Sequence, residues 1–203
     1  MKNTALHTDY AVHLSKNIAR ALHQPTHTCE LIAAAALLHN IGKVSLGNPF
    51  SVTEDYEGYL KTLYNDSTLE ATKQILTENV DIEILHLIEE SYYLLKCWTT
   101  REPVTDKPAI AAEIVALSYL MSNSLSVEMN VSYCHHPRLQ AYLRETYRNC
   151  GMNDKIFKTL EKSFDEIIEK TQTSCSAIYD TYHHMMEEYR SLNIILQHYN
   201  NKY

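Results

Sequence analysis

From Cys29 to His39 the chain reads CELIAAAALLH, with a single charge, Glu30, in the first turn. A helix of this composition is apolar nearly all round and has no face to offer to water, so other elements have to surround it. The segment therefore requires a multi-helix body and is expected to run through its middle, with Leu37 and Leu38 buried. Little else punctuates the sequence: four glycines and five prolines in 203 residues. No stretch shows the alternation of a strand, so the expected fold class is all-α.

Stepping residues at about 100° places Leu6, Tyr10, Leu14, Ile18, Ala21 and Leu22 on one arc of a first helix over 5–23. His7 falls near the middle of that arc, while Asp9, Lys16 and Arg20 lie outside it. After Pro25, Thr26 or Thr28 is expected to cap the second helix. Gly42 is placed to end it in a left-handed conformation, with Lys43 as a cation near its carbonyl end. Gly47, Asn48, Pro49 and Ser51 make 45–55 a loop by composition. Further helices are expected at about 53–64, 68–78, 80–98, 108–125 and 137–150, with a less regular stretch at 126–136.

Gly151 interrupts the pattern. Beyond it, apolar residues from Ile156 to Tyr199 keep three-and-four spacing, as one very long helix or two joined near Thr171–Ser176. The chain thus divides into a helical core, 1–150, and a C-terminal helical extension, 151–203, that completes the bundle. Docking is expected for 153–170. The tyrosine- and methionine-bearing part after Ser176 is expected to serve a homodimer or a partner contact.

A composition of 45% hydrophobic and 21% charged residues suits a folded domain. The net charge of −7 disfavours nucleic acid as a partner, because phosphate affinity comes from Lys and Arg releasing counterions. No apolar run approaches the roughly 18 residues of a membrane span, and no signal-peptide pattern opens the chain. Cys29, Cys97, Cys134, Cys150 and Cys175 are odd in number and scattered, without a CxxC pair, which speaks against a disulfide framework and a zinc ribbon. A reduced, cytoplasmic setting is the expectation.

Residues 37–43 read LLHNIGK. This fragment resembles the LLHDIGK signature of the HD superfamily of metal-dependent phosphohydrolases, and HTDYAVHLSKNIARAL is similar to that family's leading helix. The resemblance implies that His7 occupies the position of the first metal ligand and that His39 and Asn40 stand at the His-Asp pair. In the family a divalent ion held there activates water and polarises a phosphoryl oxygen. Asn40 departs from the pattern, since its amide oxygen brings no negative charge to a hard cation. The helix IAAEIVALSYLMSNSL looks like the segment that carries the family's last aspartate. At the corresponding place it offers Ser118, Tyr119 and Ser122, and no carboxylate after Glu113. Around ILHLIEESYYLL there is neither the His-His pair nor the Gly-Tyr-Pro of the HD-GYP subclass, and His86 reads as structural. The segment YLRETYRNCGMNDKIFKTLEKSFDEIIEK resembles the helical hairpin that closes HDOD domains, the HD-related output domains of bacterial signalling.

What this resemblance implies is an HD-like bundle that is catalytically inactive and regulatory, acting through protein or small-ligand binding. His7, His39, Asn40 and Lys43 are then vestigial motif positions. No metal or other cofactor is expected, with His7 and His39 as the ligands of any ion that binds. The partner is a signalling protein, with a receiver domain lying outside this chain. The alternative is a phosphohydrolase or cyclic-di-GMP phosphodiesterase with an altered site, using Fe, Mn or Zn. His135-His136 and His183-His184 read as surface pairs, and Tyr92, Tyr93, Tyr182, Tyr189, Tyr199 and Tyr203 as core edges or contact residues. No Gly-rich phosphate loop, GxSxG elbow or Cys-His catalytic pair is present.

Overall fold

A computed structural model describes residues 4–46, 65–126 and 136–200, and every regular element among them is helical. These are α1 (Thr4–Ala21), α2 (Thr26–Leu38), a 3-10 turn (Ile41–Val44), α3 (Asp66–Leu76), α4 (Ile82–Thr100), α5 (Ile110–Ser126), α6 (His136–Cys150) and α7 (Asp154–Asn200). The expected helix at 53–64 and nearly all of the stretch at 126–136 lie outside the described residues. No described helix is long and apolar enough to cross a membrane.

The arc read for α1 is its buried face: Tyr10, Leu14, Ile18 and Leu22 are all within 1% of complete burial. This helix packs on α2, α5 and α7, while α5 also carries α2 and α4. The centre of the bundle is α5 rather than α2, since every residue from Ala112 to Ser122 is buried. On α2, Ile32, Ala33, Ala35 and Ala36 face inward, but Leu37 is 55% exposed and Leu38 is half-buried. The alanines allow close approach on one side only, and Leu37 shares the outer arc with Glu30 and Ala34. An apolar composition all round did not mean burial all round.

Local signals explain most ends. Asn65 and Asp81 cap α3 and α4 by accepting from the N–H groups of Ser67 (2.9 Å) and Glu83 (3.0 Å). Neither Thr26 nor Thr28 caps α2: Pro25 holds the cap position without a side-chain bond, and both threonines lie inside the first turn. Gly151 is left-handed at φ 84°, as expected of the residue that separates α6 from α7. Gly42 is not left-handed. Its backbone lies against α3, so that a Cβ there would meet the Thr68 carbonyl and lie 2.5 Å from Thr72 N. Its N–H also donates to Thr72 Oγ1 (3.0 Å). Close approach, not handedness, is what calls for glycine at this position.

The C-terminal extension is one element of 47 residues, non-helical inside only at Ser163 (φ −125°, ψ 19°) and not near Thr171–Ser176. Up to Cys175 it buries a regular seam, including Ile156, Leu160, Phe164, Ile167, Ile168 and Thr171. Beyond that, Ile178, Met185, Tyr189, Leu192, Ile194 and Ile195 are exposed. Polar contacts between distant parts of the sequence help to fasten the docked part. Asn17 Nδ2 donates to Thr171 Oγ1 (3.0 Å), and the backbone N–H of Asn153 donates to Glu113 Oε1 (2.6 Å).

Candidate functional site

The residues singled out in the sequence converge where α1, the end of α2 and α5 meet. His39 is the C-terminal cap of α2, and Asn40 leads into the 3-10 turn that carries Lys43. Both His39 and Asn40 are buried, as is His7 on the inner arc of α1. From α5, Tyr119 and Ser122 reach them, three residues apart and hence on one helical face.

Hydrogen bonds fix the state of each ring. His39 Nδ1 lies 3.2 Å from the Ala36 carbonyl, which can only accept, so Nδ1 carries the proton. His39 Nε2 then presents a lone pair, buried and without a hydrogen-bond partner. Ser122 gives its hydroxyl hydrogen to the Tyr119 carbonyl (3.0 Å), leaving its oxygen to accept from His7 Nδ1, also at 3.0 Å. The Tyr119 hydroxyl donates to Asn40 Oδ1 (2.8 Å) and accepts from Lys43 Nζ (2.7 Å). Asn40 Nδ2 is buried without a partner. The Tyr119 ring centroid is 3.6 Å from that of His39 and 4.8 Å from that of His7, edge-on to both. One tyrosine therefore touches all four motif positions.

Burial pushes the His7 imidazole down to about 3, helped by the Lys43 charge and opposed by the Ser122 hydrogen bond. His39 is also held well below its ordinary range, by burial first and then by His7 and Lys43. Both imidazoles are neutral at pH 7, and the formal charge beside them is positive. Among the described residues no trio of His, Cys, Asp or Glu with ligand atoms in mutual reach includes His7 or His39. The donors here are neutral imidazoles, an amide and a phenol, with an ammonium alongside.

No family model, curated protein or solved structure matches this chain.

The other candidates do not join this cluster. His86 is exposed on α4, and His184 is exposed with Glu188 at 3.7 Å. His135 and Tyr203, and the side chains of His136, Tyr182, His183 and Tyr199, lie outside the described residues. Tyr92 is fully buried rather than at a core edge, and its hydroxyl donates to the His39 carbonyl (2.9 Å). That contact and the bridging role of Tyr119 were not read from the sequence. A signal was present: a buried hydroxyl has to find a partner, and Tyr119 and Ser122 share one face of a largely apolar helix.

Proposed function

We propose that this chain is a catalytically silent, HD-like regulatory domain of the HDOD type, a cytoplasmic output module of bacterial signal transduction that works by binding. One observation carries the reading: the Tyr119 ring packs edge-on against both His7 and His39, with its hydroxyl bonded to Asn40 and Lys43. A divalent ion placed there would meet neutral donors and the ammonium of Lys43 instead of carboxylates, a poor match to a hard cation. Activation of water by such an ion has no support in this donor set. The partner is a signalling protein, and the apolar residues exposed on α7 beyond Cys175 support contact there with a second copy of the chain or with that protein. A second reading, capture of a small polar ligand without turnover, is favoured by the unpartnered His39 Nε2 and Asn40 Nδ2.

The test is an assay of the wild type and Asn40→Asp against cyclic di-GMP and a generic phosphodiester, with Mn2+ or Fe2+ added. Neither protein should show metal-dependent turnover. Turnover by the wild type overturns the silent reading, and turnover by Asn40→Asp alone would mean that a single ligand had been lost from an otherwise working site.

A further inference from the structure

A second cluster of metal-ligand side chains lies where α1 meets α7. Asp9 and His13 are four residues apart on α1 and so share a face. Cys175 faces them from α7, and one ligand atom of each lies within 4.8 Å of the others. His13 Nε2 is 3.6 Å from Asp9 Oδ1. As a plain ion pair this would contribute little, since both side chains are partly exposed.

Three further features do not suit a plain ion pair. Asp9 Oδ2 is buried, with the Cys175 thiol as the neighbour of its carboxylate. Cys175 is 2% exposed. Tyr10, 1% exposed, buries its hydroxyl without a partner. A cation bound there would give the carboxylate and the thiolate a partner of opposite charge.

We propose that Asp9, His13 and Cys175 bind a borderline-soft divalent cation of the Zn2+ class and that the ion clamps α7 to α1. The ligand set decides the class: thiolate and imidazole select zinc over magnesium or calcium, and the carboxylate completes a common three-ligand set with a fourth position for water. Bonds of roughly 2.0–2.3 Å in a tetrahedral site put ligand atoms about 3.3–3.7 Å apart, so side-chain rotations of about 1 Å close the site. Binding replaces the Cys175 thiol proton with the metal, and the proton leaves to solvent. The position gives the ion a structural role, because Cys175 is the last buried residue of α7 among those described.

Metal-free full-length protein titrated with Co2+ provides the test. The expected result is one equivalent of tight uptake, a thiolate-to-cobalt charge-transfer band in the near ultraviolet, and displacement of cobalt by Zn2+. Cys175→Ser should abolish the band, and His13→Gln should weaken Zn2+ binding by more than the roughly 10- to 100-fold that loss of an outer partner brings. Zn2+ should raise the melting midpoint of the wild type and not that of Cys175→Ser. His39→Gln should leave all of this unchanged. If Cys175→Ser does not fold, His13→Gln, altered at a partly exposed position, carries the comparison. Absence of a thiolate band in the wild type overturns the proposal, and so does uptake that survives Cys175→Ser and His13→Gln but is lost in His39→Gln.

Discussion

The hydroxyl of Tyr119 donates to Asn40 Oδ1 over 2.8 Å, joining the centre of α5 to the end of α2 across 79 positions of sequence. In Tyr119→Phe the ring remains, while the buried amide oxygen loses its donor and Lys43 loses its acceptor. The expected loss is about 1–3 kcal/mol in urea denaturation, the penalty of leaving a buried polar atom unsatisfied. A loss within experimental error would show that another group satisfies Asn40.

Acid should weaken the fold through His7 and His39. Their imidazoles titrate near 6.5 when unfolded, whereas folded His7 titrates at about 3 and folded His39 well below 6.5. Below 6.5 the unfolded chain therefore binds protons that the folded chain refuses, and stability falls as pH drops, by up to about 1.4 kcal/mol per pH unit for each histidine. Above 6.5 this contribution is level. His7→Asn should flatten the slope between pH 6 and 4, and an unchanged slope would place the acid sensitivity elsewhere.

Glu113 acts in the opposite direction. Burial raises its carboxyl to about 7, against the lowering effect of the Asn153 N–H. The folded state thus holds a proton that the unfolded state releases above about 4.5, and stability is lost as pH rises from there through 7. Glu113→Gln keeps an oxygen for Asn153 and removes the buried charge, so it should stabilise by about 1–3 kcal/mol at pH 8 and by little at pH 5. Equal effects at both values, read from denaturation curves, would contradict this.

Gly42→Ala should destabilise although the residue has ordinary backbone angles. The new methyl would press on Thr68 O and Thr72 N, which are backbone atoms of α3 and cannot swing aside. The expected cost is about 1–3 kcal/mol or more, seen as a lower melting midpoint. A neutral substitution would mean that α3 shifts freely.

Leu37 and Ile32 should separate sharply. Ile32→Ala removes a fully buried side chain and should cost about 2–5 kcal/mol, while Leu37→Ala, at a position 55% exposed, should stay within about 0.5 kcal/mol. Comparable losses in denaturant titrations would show that Leu37 is covered in solution.

The helices were legible because period and punctuation agree along most of the chain. Tyr10, Leu14, Ile18 and Leu22 mark the buried face of α1, and Gly151 marks the break between α6 and α7. What escaped depends on neighbours far away in sequence. The exposure of Leu37 follows from which side of α2 meets α1 and α5, and Gly42 is needed because of α3, about thirty residues later. His7, His39, Asn40 and Lys43 could be brought together from a short motif. That Tyr119 links them, and that Cys175 joins Asp9 and His13, needs the three-dimensional path of α5 and α7.

The bond from Asn17 to Thr171 spans 154 residues. A ribosome working at about 5–20 residues per second needs roughly 8–30 s to make that stretch. Throughout this interval α1 lacks the helix that covers one of its sides, so this face of the bundle is sealed late in synthesis. An apolar face left open for so long is a natural target for chaperones during synthesis.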